Sequence, residues 1–258
     1  MRTIMNVQLP ANLGNNYKSP SQKIRVITEI WARQNVFCPS CLQLVSAKPH
    51  NFPATDFTCV QCEHSFELKS TKGAFGKKVV DGAYSTLSAR IHDGTQPNLL
   101  LLAYTSEFQV SGLVLIPKVF LTQQIVEKRK PLAETARRRG WVGCNLLIGN
   151  VPIDGQIVYV KGTRPLSHDQ VQHQWEQSRF IETIKPEARG WLIAVMSCVR
   201  RLGKPRFNLQ EMYLFESALQ AQFPNNRNIR PKIRQQLQIL RDKGWVDFQG
   251  NGNYQLCS

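Results

Sequence analysis

The sequence predicts an α/β domain over residues 1–183, followed by an all-α domain with a β-hairpin over residues 184–258. In the first part, helical patterns alternate with short apolar runs that are typical of buried strands. In the second part, three helical patterns precede two short strands around a turn rich in Gly and Asn, which is the order of a winged helix-turn-helix. A polar stretch that contains Pro165 and Pro186 separates the two parts.

The amino-acid composition favours a nucleic-acid partner over a membrane. The 258 residues include 33 Lys and Arg against 18 Asp and Glu, a formal net charge of +15. Such an excess attracts polyanions, and no apolar run approaches the roughly 20 residues that span a bilayer. The N-terminus lacks the apolar core of a signal peptide, so we expect a cytoplasmic protein. Seven cysteines in a reducing compartment indicate a metal site rather than a disulfide framework.

The elements of the first domain begin with a helix over residues 21–33, whose face carries Ile24, Ile27 and Trp31. A second helix is expected to start near Asp81. Apolar runs and period-two alternation predict strands between and after these helices. The predicted strands are residues 64–70, 98–104, 111–117 and 155–161.

The second domain contains local signals for helix ends. Asn208 and Glu211 have the spacing of a capping box, Asn228 suits the N-cap of the third helix, and Gly244 suits its C′ position. The two strands of the hairpin follow directly. The predicted helices are residues 187–202, 208–223 and 224–244, and the hairpin covers residues 245–256.

Two Cys-x-x-Cys pairs, separated by seventeen residues, predict a structural zinc site. Two intervening residues let both thiolates of a tight knuckle reach one ion at about 2.3 Å, and four thiolates close its coordination sphere. The other interpretations are two disulfides or free thiols. The predicted ligands are Cys38, Cys41, Cys59 and Cys62. The remaining cysteines are solitary and are expected in the core or on the surface: Cys144, Cys198 and Cys257.

An acidic pair and a lysine surround the second knuckle. Glu67 and Lys69 share one face of a predicted strand, and Asp56 would lie on the adjacent strand, with the second knuckle as the turn between them. Two carboxylates suit Mg²⁺, and a lysine beside them can orient water or stabilise charge at phosphorus. The alternative is that these are solvated charges on a strand.

Two basic segments are candidates for DNA contact. In the third helix of the second domain, four polar side chains fall within an arc of roughly 80° beside an apolar stripe, as in a recognition helix or an ordinary surface helix. These residues are Arg230, Arg234, Gln238 and Arg241. In the first domain, Arg137, Arg138 and Arg139 precede Trp141, a pattern that also fits a solvated basic run before a core tryptophan.

Several long blocks resemble the DpnI family of methyl-directed restriction endonucleases. They follow one order from about residue 17 to the C-terminus. The blocks are residues 17–31, 56–75, 81–91, 129–145 and 233–254. The resemblance implies a PD-(D/E)XK nuclease core with an inserted four-cysteine zinc site and a C-terminal winged helix.

The resemblance also implies an activity, which is the hydrolysis of double-stranded DNA at GATC sites that contain N6-methyladenine. It assigns catalysis and magnesium binding to Asp56 and Glu67, catalysis to Lys69, and contact with the methylated base to Trp141. Arg137, Arg138 and Asn228 join the recognition helix as predicted DNA contacts. No small-molecule cofactor is expected, and the oligomeric state stays open, a monomer included. The rival hypothesis is a non-catalytic DNA-binding regulator with a zinc module and a winged helix.

Overall fold

The structure, a computed structural model, describes residues 5–47 and 55–257 and confirms an α/β core followed by a helical domain with a hairpin. The helices are α1 (Pro20–Asn35), α2 (Tyr84–Asp93), α3 (His168–Ser178), α4 (Pro186–Arg201), α5 (Leu209–Tyr213), α6 (Glu216–Gln222) and α7 (Ile229–Asp242). The strands are β1 (Ser46–Ala47), β2 (Phe57–Thr58), β3 (Ser65–Lys72), β4 (Val79–Ala83), β5 (Asn98–Tyr104), β6 (Val110–Ile116), β7 (Val126–Lys128), β8 (Gly143–Leu146), β9 (Ile157–Lys161), β10 (Arg164–Pro165), β11 (Arg206–Asn208), β12 (Val246–Gly250) and β13 (Asn253–Leu256).

A mixed sheet of seven strands forms the centre of the first domain, in the order β1-β2-β3-β5-β6-β9-β10. Strands β3 and β5 run parallel, and the other neighbours are antiparallel. Successive side chains of β5 point to opposite faces, so Leu100 and Leu102 pack with α1 and α3 while Leu99 and Leu101 join the core that contains α4. Burial on both faces explains why β5 reads as a continuous apolar run.

A second, smaller sheet has the order β4-β8-β7 and corrects one expectation. Helix α2 begins at Tyr84 rather than near Asp81, because Val79–Ala83 forms strand β4 and pairs with β8. The amide of Tyr84 donates to the carbonyl of Val142, which ends the strand pairing where the helix starts. Pairing with a strand more than sixty residues later along the chain overrides the local helical pattern.

The second domain has the three-stranded sheet β11-β13-β12 against its helices. The capping box of Asn208 and Glu211 forms as predicted. The expected helix over residues 208–223 is divided into α5 and α6, since the chain turns at Leu214 and Phe215 and thereby buries both Met212 and Leu219. Strand β11 was not predicted, because three residues between two helices carry little pattern of their own.

The ends of α7 agree with the sequence only in part. Gly244 follows the helix with a φ of +71°, as expected of a C′ glycine. Asn228 occupies the N-cap position, but within the described part of the chain its side chain accepts no capping hydrogen bond from the first turn of α7. Its amide instead donates to the side chain of Asn226.

Helix α4 joins the two parts of the chain. Its residues from Gly190 to Val199 are buried except Ser197, and they share one core with strands of the first domain and with α7. Asp154 accepts two hydrogen bonds from the guanidinium of Arg200 and a third from Trp245 Nε1, at 2.9 Å.

The boundary at residues 183 and 184 stays a prediction. Among the described residues, no helix is long and apolar enough to cross a membrane.

Candidate active site

The hairpin of β2 and β3 positions the predicted acidic pair. Asp56 lies directly before β2, and its amide donates to the carbonyl of Phe66 at 2.9 Å. Its carboxylate Oδ2 accepts a 2.8 Å hydrogen bond from the amide of Leu68, the residue between Glu67 and Lys69. The backbone of β3 therefore fixes the carboxylate of Asp56 next to β2, as expected from the predicted hairpin.

Glu67 and Lys69 share one face of β3 and are in direct contact. Lys69 Nζ lies 2.6 Å from Glu67 Oε1 and 2.8 Å from Oδ1 of Asp81 on strand β4. Burial raises the pKa of the Glu67 carboxyl, which the ammonium of Lys69 partly offsets, and the negative charges of Asp81 and Asp56 add to the rise. Burial opposes the charge of Lys69, but the two carboxylates outweigh it and raise the pKa of the ammonium.

Asp81 is a member of this cluster that sequence reasoning missed. Its side chain is 8% exposed, less than that of Glu67 or of Lys69 itself. The pattern of residues 80–91 placed it at a helix start. Two valines followed by Asp-Gly, at residues 79–82, were the available sign of a strand that ends in a turn or bulge.

Helix α1 covers the cluster on the side of Asp56. Arg25 Nε forms an ion pair with Oε1 of Glu29, one helical turn later, at 2.5 Å. The Nη2 atom of Arg25 lies 3.9 Å from Asp56 Oδ1. Glu29 is thus close to the acidic pair but is held by an arginine. Because Arg25 is largely exposed, this contact is adjustable and contributes little to stability.

The four predicted zinc ligands come together. The sulfur atoms of the two Cys-x-x-Cys pairs all lie within 4.8 Å of one another, and this set could hold a metal ion. Thiolates bound to one zinc at about 2.3 Å lie about 3.8 Å apart, so the spacing and the donor chemistry both fit zinc. Burial raises the pKa of the Cys38 thiol, and metal binding would displace its proton.

The two knuckles have the same backbone geometry. The amide of Leu42 donates to Cys38 O at 2.8 Å, and that of Glu63 donates to Cys59 O at 2.9 Å. Both donors have positive φ, +65° and +58°. The second knuckle is the turn between β2 and β3, so a metal ion bound by the four cysteines would staple the hairpin that carries Asp56 and Glu67.

The basic loop leads into β8, a strand of the small sheet that also contains Asp81. Trp141 is half-buried, its ring lies against Gly143, and the guanidinium of Arg138 stacks 4.7 Å from the ring centroid. Arg137 and Arg138 are exposed. A ring that is partly open beside an arginine fits base contact and a supporting role equally, so the assignment stays a prediction.

The predicted recognition helix is amphipathic, as expected. Ile229, Ile233, Leu237 and Leu240 are buried. The four candidate contact residues are exposed, and so is Asn228: Arg230, Arg234, Gln238 and Arg241. The arginines already have partners, because Arg230 pairs with Glu216, Arg234 donates to the hydroxyl of Tyr213, and Arg241 pairs with Asp242. Phosphate contacts would have to replace these exposed interactions.

The structure thus brings Asp56, Glu67 and Lys69 into one cluster, adds Asp81, and gathers the four cysteines at the turn of the same hairpin. Comparison with known families gives two matches. A sequence model of DpnI, described as the Dam-replacing family, matches residues 5–184. A model of its C-terminal part, described as the Dam-replacing HTH domain, matches residues 187–256.

Proposed function

The chain belongs to the DpnI, Dam-replacing family, and we propose that it is a Mg²⁺-dependent type II endonuclease for DNA containing N6-methyladenine in GATC sites. Family membership supports a nuclease that carries an HTH domain for DNA binding. The magnesium ion and the methylated target are the finer parts of the proposal, and they follow from the resemblance of the sequence blocks.

The hairpin that brings Asp56 and Glu67 beside Lys69 is the observation that carries the proposal. Carboxylate oxygens are the hard ligands that Mg²⁺ prefers, and two of them leave room in its shell for water and phosphate oxygens. The raised pKa of Glu67 reflects burial and nearby negative charge, both of which a cation would compensate. The donor set therefore fits magnesium, with Asp56 and Glu67 as its protein ligands.

The bound ion would supply a Lewis acid that polarises the phosphodiester and lowers the pKa of a water. Asp56 is oriented for this task by its hydrogen bond from Leu68 N. Lys69 stays protonated between two carboxylates, so its role is to stabilise negative charge that develops at phosphorus, rather than to remove a proton.

Two surfaces would read the DNA. In the first domain, Trp141 would lie against the methylated adenine, flanked by Arg137 and Arg138. In the second, α7 would enter the major groove, where the adenine methyl projects. Its arginines and Asn228 would chiefly contact phosphates, and Gln238 lies on the same exposed face.

The zinc site would be structural in this scheme. Four thiolates leave no open coordination position for substrate, so the ion would act by fixing the hairpin geometry. We also propose that the boundary at residues 183 and 184 separates the nuclease from the DNA-reading domain, although both share the core around α4.

The proposed function is tested by incubating the protein and Mg²⁺ with plasmid DNA from hosts with and without adenine methylation. We expect discrete cleavage of the methylated plasmid alone. A Glu67→Ala variant serves as the matched control for contaminating nucleases. Equal cleavage of both plasmids would remove the methyl dependence, and no cleavage of either would favour the DNA-binding regulator.

A further inference from the structure

Asp81 is held firmly beside the proposed catalytic lysine. Its Oδ1 accepts from Lys69 Nζ at 2.8 Å and also from the amide of Gly82 at 2.7 Å. The side chain is 8% exposed. A carboxylate that is buried to this extent requires a charged partner, and Lys69 supplies it.

A β-bulge sets the direction of the Asp81 carboxylate. The pairing of β4 with β8 shifts register between Asp81 and Ala83, so Gly82 is the extra residue on the bulged strand. A bulge bends its strand and redirects a side chain, and such features are frequent next to active sites. Here the backbone of the extra residue itself binds the redirected carboxylate.

The lysine has two carboxylate partners, and the proposed chemistry calls on one of them. Glu67 lies 2.6 Å from Lys69 Nζ and is also a proposed magnesium ligand. A carboxylate that binds a cation has less negative charge to offer an ammonium. Asp81 reaches Lys69 from a separate sheet, and it therefore offers the ammonium a second carboxylate that the proposed magnesium binding does not call on.

We propose that Asp81 is a positioning residue, which holds the ammonium of Lys69 in place for the scissile phosphate while Glu67 binds magnesium. This inference rests on the proposed nuclease function. Asp81 acts through Lys69 and does not itself touch DNA or the metal ion. A loss of position by about 1 Å can cost about 100-fold in rate, which sets the size of the expected effect.

Kinetics of three variants test the role. Asp81→Asn keeps the shape and removes the charge, and we expect it to lower kcat roughly 10- to 100-fold with KM within about threefold of wild type. Asp81→Glu restores the charge and should recover part of the rate. The matched control is Glu127→Gln, which removes another carboxylate of the same small sheet, one paired with Lys78 instead.

A second measurement reads the contact without any cleavage. Acylation of the Lys69 amine in metal-free protein, quantified by mass spectrometry, should be faster in Asp81→Asn than in wild type and unchanged in Glu127→Gln. Unchanged Lys69 reactivity in Asp81→Asn would overturn the inference, as would a kcat equal to wild type, or equal loss in the Asn and Glu variants. Failure of the proposed function is separate, because it appears as full cleavage by Glu67→Ala or as no cleavage by the wild type, and neither outcome alters the acylation of Lys69.

Discussion

At the scale of single residues, the site concentrates charge in a small, partly buried volume. Glu67, Asp81 and Asp56 supply negative charge, and Lys69 compensates two of them. The ionised form of Glu67 is disfavoured in the folded protein relative to the unfolded chain, because burial raises its pKa. The arrangement therefore costs stability in the absence of a cation, as is common at functional sites.

A stability measurement tests this cost. In metal-free protein at pH 7, we expect Glu67→Gln to raise Tm, since the variant removes a charge that folding desolvates. A raised carboxyl pKa penalises the folded state above the folded pKa, and the penalty disappears as pH falls through the unfolded value of about 4.3. The gain should therefore vanish below about pH 4.

The control for this measurement is Glu127→Gln. Hydrogen bonds from Lys78 and Asn145 lower the pKa of Glu127, so its ionised form is favoured on folding and its loss should not stabilise. A lower Tm for Glu67→Gln than for wild type at pH 7 would contradict the electrostatic account of the site.

At the scale of elements, the hairpin of β2 and β3 with its four-cysteine cluster is the unit that builds the site. The second knuckle closes the turn between β2 and β3, and the first knuckle binds into the rest of the domain through Phe37, whose carbonyl accepts from Tyr159. Loss of the metal would release both knuckles and, with them, the register of Asp56 against β3. Zinc should thus be required for activity although it takes no part in the chemistry.

We expect about one zinc per chain in purified protein, and a Cys59→Ser variant should lose both the metal and cleavage. Cys257→Ser is the matched control, because Cys257 is solitary and exposed. Zinc content and cleavage rate are measured on the same preparations. Active protein with a zinc content near zero would refute the structural role of the four-cysteine site.

A second prediction at the scale of elements concerns the contact of an α7 arginine with DNA. Arg234→Ala should weaken binding to methylated and unmethylated duplexes by a similar factor and reduce the slope of log K against log salt by about one. The measurement is a titration of the full chain at several salt concentrations. Arg179→Ala, which removes an exposed, ion-paired arginine outside α7, should leave the slope unchanged. A loss confined to one duplex would assign Arg234 to base reading instead.

The elements also show what could be predicted from sequence. The hairpin, the clustering of the four cysteines and the amphipathic α7 depend on short-range patterns, and all appear as expected. Asp81 was missed because β4 exists only through pairing with β8, far along the chain. The division of residues 208–223 into α5 and α6 was missed for a similar reason, since tertiary burial of Met212 and Leu219 decides where the chain turns.

At the scale of the whole molecule, the two domains are joined by packing as well as by the chain. Helix α4 is buried between the central sheet and α7, and Asp154 binds both Arg200 and Trp245 across the junction. Residues 184–258 have their own caps and hairpin, which favour independent folding, but an isolated fragment would expose the apolar face of α4. The proposed DNA-reading domain is thereby fixed relative to the nuclease.

Asp154→Ala should lower the free energy of unfolding by about 2 kcal/mol, because it leaves hydrogen-bond donors of Arg200 and Trp245 without their charged acceptor. Denaturant unfolding followed by tryptophan fluorescence measures this. Ser106→Ala, at an exposed turn of the first domain, is a control that should stay within about 0.5 kcal/mol of wild type. An unchanged midpoint for Asp154→Ala would mean that its hydrogen bonds to Arg200 and Trp245 add nothing to stability.

We propose that Asp56, Glu67 and Lys69 form a magnesium-dependent nuclease site that acts on methylated DNA. This proposal is tested most directly by the cleavage rate of a short duplex with one GATC site, methylated or unmethylated at adenine, measured with and without Mg²⁺. We predict rapid cleavage of the methylated duplex with Mg²⁺, and loss of cleavage but not of DNA binding in Asp56→Ala, Glu67→Ala and Lys69→Ala. Full cleavage by any of these variants, or by the wild type in the presence of a chelator, would contradict the account.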